Sequence, residues 1–264
     1  MPMSPRVNTA PTAPPRVGRL ALLCFLAACV AVYIIYYTLE PPARSARSLH
    51  HNTDLVDDGF CVVPLQRGVR FQTVRRETLR RLPPGYLFLD YSYVISGCSL
   101  TTFHRDITSS QRSYRTKHPT FTAILYRYDG DMISVCPGSH ATHPLTLRRP
   151  VGVRGSECTL VVFNADLLHA GMINRVGQRR RVIQYKIAHA DDVPLLSHLR
   201  GMHVVKRAGC DMSVARETCL RKLSYHASFL INTLFRPLLM QKYEPGTLLH
   251  GLQSMVPVQF YNNA

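Results

Sequence analysis

Tryptophan is absent, and lysine nearly so: only five of the 32 basic residues are Lys. Acidic residues number 16, which leaves a formal net charge of +16 at pH 7. No Asn-x-Ser/Thr sequon occurs, so glycosylation gives no independent sign of lumenal exposure. No two cysteines have the paired spacing of a zinc site. There is no internal repeat, and no low-complexity block beyond a Pro/Arg-rich N-terminal tail. What remains in 264 residues is room for one sizeable core, or one domain with extensions.

The basic charge is scattered in short clusters, "RRETLRR" (75–81), "LRRP" (147–150) and "GQRRR" (177–181). No zinc-finger or RNP-type signature accompanies them, which argues against nucleic acid as a partner and for a solvated or membrane-facing surface.

Residues 20–39, "LALLCFLAACVAVYIIYYTL", form an apolar run without a charge. Twenty helical residues at 1.5 Å each reach about 30 Å, the thickness of a hydrocarbon core. Tyr33, Tyr36 and Tyr37 sit toward one end, where interfacial aromatics belong, and "EPP" (40–42) stops the helix. Arg6, Arg16 and Arg19 precede the run, and Arg44 and Arg47 follow it. The slight bias favours a cytosolic N-terminus. The expectation is a single-pass anchor with the bulk of the chain lumenal (ER or Golgi) or extracytoplasmic. Two rivals are weaker. A signal peptide has a shorter apolar region, and the lipobox-like "LAAC" (26–29) is followed by more apolar sequence. The six cysteines outside this run permit disulfides without assigning them.

The expected organisation is a basic tail (1–19), an anchor (20–39), a Pro/Arg/Ser/His stalk (40–53), a globular region (54–190) and a helical C-terminal extension (191–264). Residues 69–82 read as a short basic helix ended by "PPG". Strand signals follow: "YLFLDYSYVIS" (86–96), "FTAILYRY" (121–128) with a hairpin-type Asp129-Gly130 turn into "MISV" (132–135), "TLVVF" (159–163) and "RVIQYKIA" (181–188). Short strands with intervening turns predict a sandwich or barrel. Beyond Ser213 the apolar residues Leu220, Leu223, Phe229, Leu230 and Leu234 recur at helical spacing.

Two His-x-Asp pairs occur, His104-Arg105-Asp106 and His189-Ala190-Asp191. On a strand, residues two apart share a face, so each pair could offer an imidazole and a carboxylate to one metal ion. Alone this is a weak signal, since a strand-end His and a turn Asp give the same pattern. An Fe(II) oxygenase site needs a second His to complete a facial triad and leave positions open. A keto-acid cosubstrate needs a cation for its far carboxylate. His104/Asp106 has both downstream: His169 and, eleven residues later, Arg180, with a hairpin through "NRVG" (174–177) able to fold one back beside the other. For His189/Asp191 the candidates, His226 and Arg236, fall in the expected C-terminal helix, and that pair is set aside.

Four segments occur in an order that resembles the phytanoyl-CoA dioxygenase family of Fe(II)/2-oxoglutarate oxygenases. They are "DGFCVVPL" (58–65), "FHRD" (103–106), "VCPGSHATHP" (135–144) and "HAGMINRVGQRR" (169–180), together covering about residues 55–190. The resemblance implies a mainly β fold, a double-stranded β-helix (a jelly-roll or cupin-like barrel) with flanking helices, here preceded by a transmembrane helix. It implies His104, Asp106 and His169 as iron ligands and Arg180 as the 2-oxoglutarate anchor, with Arg179 and Arg181 as rivals. The implied cofactors are Fe(II), 2-oxoglutarate and O2, with ascorbate as an accessory reductant. The implied reaction is hydroxylation of an unactivated C–H of a small molecule, lipid, glycan or protein. The chain departs from the family at Phe103, where Trp is common, and at Gly171, where many members carry a hydroxyl residue. His140 and His143 match a family segment that does not ligate iron. Tyr126, Tyr128 and Tyr185 read as core, and Arg105 as pointing away from the site. The alternative is a catalytically inactive barrel, a membrane-tethered binding or structural protein for anionic lipid or glycan.

Overall fold

The computed structural model describes residues 16–38, 42–97, 102–142, 146, 148–173 and 178–208, then 214–215, 218–219, 221–225, 228 and 246–248. The chain divides into two units, Met1–Leu39 and Glu40–Ala264.

The first unit holds α1 (Arg16–Thr38), rich in Leu, Ala, Ile and Val. The expected transmembrane span is therefore helical through Thr38. Among the described residues, however, no helix is long and apolar enough to cross a membrane. Leu20, Leu22, Leu23, Phe25 and Leu26 within α1 are exposed.

In the second unit the elements are β1 (Arg44–Ser45), α2 (Ala46–Asn52), β2 (Phe60–Pro64), α3 (Phe71–Leu79), β3 (Tyr86–Phe88), β4 (Tyr91–Gly97), the single turn α4 (Gln111–Tyr114), β5 (Phe121–Tyr126), β6 (Gly130–Val135), β7 (Val151–Gly155), β8 (Thr159–Asn164), β9 (His169–Gly171), β10 (Arg180–His189) and β11 (Met202–Ala208). Seven strands form one sheet in the order β11-β4-β10-β5-β8-β2, with β3 beside β10, and four form the other, β1-β7-β6-β9. An antiparallel bridge between His104 and His169 adds the His104 segment to the outer side of β9. The eight central segments are thus divided between the two sheets. The first, eighth, third and sixth lie in one (β4-β10-β5-β8), and the second, seventh, fourth and fifth in the other (the His104 segment, β9, β6, β7). That is the order of an antiparallel jelly roll.

The core sits between the sheets. Val62, Val161 and Phe163 from the larger sheet meet Met132, Ile133, Val135 and Val153 from the smaller. Strand β8 is buried at all six positions because its alternate residues face two cores. Val161 and Phe163 look between the sheets, and Leu160 and Val162 look outward under α3 through Val74. Each such buried side chain contributes about 1.5–3 kcal/mol. Tyr126 and Tyr128 belong to the inner core, and Tyr185 packs against the outer one.

Four expectations need correction. The stalk (40–53) is part of the folded unit: β1 extends the smaller sheet beside β7, and α2 buries Ala46 and Leu49. Two apolar residues among Pro, Arg and Ser suffice when Ser45, whose side chain accepts from Arg47 N, caps the helix. The Asp129-Gly130 turn is no hairpin, since it carries the chain from β5 in one sheet to β6 in the other. Likewise β9 pairs with β6 while β10 pairs with β4 and β5, so His169 and Arg180 are not hairpin partners. Finally, the region after Asp191 does not begin as a helical extension. A 3-10 segment, Ala190–Leu199, leads to β11, which runs parallel to β4. The described residues at 214–215, 218–219, 221–225 and 228 are helical.

Candidate metal centre

His104 and His169 sit opposite each other and exchange both backbone hydrogen bonds, at 2.9 and 3.0 Å. Directly opposed residues of an antiparallel pair point to one face, and here the two imidazoles lie 4.4 Å apart between centroids. Asp106, two residues along, is held by its N–H donating to Ala165 O at 2.8 Å. Its Oδ1 lies 3.9 Å from His104 Nε2 and 3.7 Å from His169 Nε2. One donor atom from each of the three residues falls within 4.8 Å of the others, a group that could hold a metal ion.

The second atom of each ligand is already committed. His104 Nδ1–H donates to Thr102 O and His169 Nδ1–H to Leu167 O, both at 2.9 Å. A carbonyl can only accept, so the proton sits on Nδ1 and the lone pair on Nε2, facing Asp106. Burial lowers both imidazole pKa values, that of His169 to about 3 with help from His104, so both rings are neutral at pH 7. Asp106 Oδ2 accepts from Lys186 Nζ at 2.6 Å and from Thr122 Oγ1 at 2.5 Å. Lys186 Nζ also donates to Thr122 Oγ1 at 2.9 Å. Burial would raise the Asp106 carboxyl, but Lys186 and the two imidazoles hold it below the usual carboxylate range. Two neutral imidazoles and one ionised carboxylate with a single oxygen turned inward fit a divalent iron ion.

The shell around the ligands is built from segments that sequence reasoning had partly assigned elsewhere. Arg105 is 4% exposed and points away from the imidazoles. Its guanidinium donates to Ser139 O at 2.7 Å, to Thr142 O at 3.2 Å, and to Asp166 O. Burial lowers its pKa. Ser139, in the Pro-Gly-Ser-His segment, accepts from Leu168 N at 2.8 Å and so fixes the residue before His169. Gly138 must be glycine there: its φ is +69°, and a Cβ would lie 2.4 Å from Arg148 Nη1. His140 is not in the cluster, and its Nε2–H donates to Val56 O. His143 lies outside the described residues.

Arg180 is 4% exposed, while Arg179 and Arg181 are exposed. Its guanidinium donates to Met172 O at 2.5 Å and Ile173 O at 3.3 Å and lies 5.5 Å from the Tyr128 ring centre. Arg180 and Lys186 occupy the same face of β10, at opposite ends, about 20 Å apart along the strand. Lys186 was missed by sequence reasoning; its signal was a lone lysine on the inward parity of a buried strand.

The C-terminal helical residues brace both halves of the cluster. Ser224 Oγ accepts from Phe103 N at 2.8 Å, and Phe103 packs edge-on against Tyr225. Arg221 lies over the Phe103 ring at 4.6 Å and donates to Gly171 O at 2.5 Å. Among the described residues the six cysteines are free thiols, three of them buried.

No protein-family model matches the sequence, and no curated protein sequence does. Solved structures similar to this chain include SnoN, a non-haem α-ketoglutarate-dependent epimerase from nogalamycin biosynthesis (13% identity, TM-score 0.37, 55% of this chain and 83% of that one). NvfI, an iron and α-ketoglutarate-dependent endoperoxidase, is another (10% identity, TM-score 0.40, 55% and 83%). AviO1 from Streptomyces viridochromogenes Tue57 is a third (14% identity, TM-score 0.33, 56% and 96%). Likeness at this level carries no argument about function, and the site stands on its own geometry.

Proposed function

We propose that this chain is an Fe(II)/2-oxoglutarate-dependent dioxygenase of the phytanoyl-CoA dioxygenase type, hydroxylating an unactivated C–H bond. The observation that supports this most directly is the convergence of His104, Asp106 and His169, with Lys186 and Thr122 occupying the far oxygen of Asp106. An iron ion there, with 2-oxoglutarate and O2, supplies oxidative decarboxylation coupled to hydroxylation, giving succinate, CO2 and the hydroxylated product.

The chain's own residues do the rest. His104 and His169 present Nε2 lone pairs because backbone carbonyls hold their Nδ1 protons. Asp106, its other oxygen taken by Lys186 and Thr122, would offer an iron ion one inward oxygen. Arg180, buried beside Tyr128, supplies a charge-assisted clamp for the far carboxylate of 2-oxoglutarate. Lys186 is the other buried cation on that face, and its protons are committed to Asp106 and Thr122. The jelly-roll walls exclude water from the ligands, which are at most 18% exposed in their side chains.

The reading extends to a membrane anchor at residues 20–39, with the catalytic unit lumenal or extracytoplasmic and the substrate a small molecule, lipid, glycan or protein met there. It rests on the uncharged run in the sequence, and carbonate extraction with protease protection of the full chain tests it.

The catalytic assignment is tested by substrate-uncoupled turnover of 2-oxoglutarate. His104→Ala and Asp106→Ala are each expected to abolish CO2 release. Undiminished release by either purified variant would overturn the assignment of these ligands, whereas no release by the iron-loaded parent would make the inactive binding barrel the better account.

A further inference from the structure

The His189-Ala190-Asp191 pair lacks a third ligand in its own stretch of sequence, but the fold supplies one. His118, between α4 and β5, lies against the end of β10 and the start of the 3-10 segment. His118 Nε2 is 3.7 Å and His189 Nδ1 is 3.5 Å from the same oxygen, Asp191 Oδ2. The two imidazoles are 3.9 Å apart between centroids, and the three donor atoms fall within 4.8 Å of one another. We infer that His118, His189 and Asp191 form a second metal site, of the zinc class, separate from the candidate iron site.

Three observations make this more than a meeting of surface side chains. First, His118 Nε2 is buried without a hydrogen-bond partner. A buried imidazole nitrogen with no partner is unfavourable by about 1–3 kcal/mol, and a metal ion removes that deficit. Second, the two segments are fastened together independently of any ion. Asp192, 2% exposed, accepts from Lys117 N on Oδ1 and from His118 N on Oδ2, each at 2.8 Å. The residue beside Asp191 thus grips the backbone of His118, as a rigid site requires. Third, His189 has its orientation set. A Cβ at Gly85 would lie 2.2 Å from His189 Nε2, so that edge of the ring is packed against backbone and Nδ1 faces Asp191, where it accepts only a long hydrogen bond from Asp191 N at 3.4 Å that a metal ion would replace.

Two imidazoles and one carboxylate are borderline donors, suited to Zn(II) and poorly matched to Mg(II) or Ca(II), which prefer all-oxygen shells. Three protein ligands leave a fourth, solvent-side position for water, consistent with Asp191 at 60% side-chain exposure. The ion would staple the segment before β5 to the end of β10. That segment bears on the iron ligands: Ala165 N donates to Thr120 O, and Asp106 N donates to Ala165 O. Bound there, the ion would stiffen the connection that carries Asp106. The inference does not depend on iron chemistry at the first site.

The test is Zn(II) titration of the full chain carrying Asp106→Asn, which disables the first site, followed by calorimetry and by elemental analysis after dialysis. One retained equivalent of zinc and a raised thermal midpoint are expected. Adding His118→Gln or Asp191→Asn, the second a conservative change at an exposed position, should weaken zinc binding at least tenfold and remove the thermal shift. Ca(II) and Mg(II) should give neither signal. No zinc retained by the Asp106→Asn chain, or unchanged affinity in both added variants, would overturn the proposal, and neither result touches the assignment of the iron ligands.

Discussion

Lys186 Nζ lies 2.6 Å from Asp106 Oδ2, and both side chains are nearly inaccessible, at 1% and 7% exposure. This buried pair joins the last long strand of the larger sheet to the His-x-Asp segment. It holds the carboxylate ionised and turned so that a single oxygen faces His104 and His169.

Breaking the pair from one side leaves a buried charge without its partner, which costs about 3–5 kcal/mol. Lys186→Met should therefore destabilise the fold by that order in urea unfolding. It should also weaken Co(II) or Fe(II) binding about 10–100-fold, the usual effect of losing an outer-shell partner. The double variant Lys186→Met/Asp106→Asn should recover most of the stability and none of the metal affinity. If Lys186→Met binds metal as the parent does, the pair does not position the ligand.

Arg180→Leu should raise the KM for 2-oxoglutarate at least tenfold, because a lost charge-assisted hydrogen bond is worth about 1.5–3 kcal/mol. Arg181→Leu, at an exposed position on the other face of β10, should leave it unchanged. Steady-state turnover of the two variants distinguishes them, and the reverse ranking would move the anchor to Arg181.

His169 gives the apo protein an acid-labile fold. Its imidazole titrates near 6.5 when unfolded and at about 3 when folded, where burial and His104 oppose the charge. Between those values the unfolded chain binds more protons, so stability falls as pH falls, by about 1.4 kcal/mol per unit from this residue. Below about 3 the term stops growing, and above 6.5 it vanishes. Chemical unfolding of the metal-free chain across pH 7 to 4 should show this slope, and His169→Leu should flatten it.

Arg221→Met tests the brace. Removing the guanidinium leaves the half-buried Gly171 carbonyl short of its donor and strips the cation from the Phe103 ring. A loss of about 1–3 kcal/mol is expected, read in thermal unfolding, together with weaker metal binding, because both contacts adjoin the candidate ligands His104 and His169. A loss of stability with metal affinity intact would limit the helix to a structural role.

The meeting of His104, Asp106 and His169 was legible in part: His104 and Asp106 stand two residues apart, and His169, 63 residues beyond Asp106, was picked out by its order among the other motifs and by Arg180 eleven residues later. The burial of Arg180 between two exposed arginines followed from strand alternation. Lys186 was hidden because it stands in "RVIQYKIA", where the apolar run drew the reading and the lysine looked like an interruption. His118 was hidden by distance, since it is 71 residues from His189 and only the fold brings them together. The turn at Asp129-Gly130 was recognisable, but the same residues serve a hairpin and a crossing between sheets, and pairing alone decides which. Helix α2 escaped notice because its two buried residues, Ala46 and Leu49, sit in a sequence otherwise composed like a linker.

The central claim is that one iron ion and one 2-oxoglutarate bind together at His104, Asp106 and His169. Anaerobic titration of 2-oxoglutarate into the Fe(II)-loaded chain, followed by visible charge-transfer absorption, tests this most directly. We predict a band that saturates at one equivalent of 2-oxoglutarate per chain and is absent from Asp106→Ala and His169→Ala. No band in the iron-loaded parent, or an equal band in either variant, would contradict it.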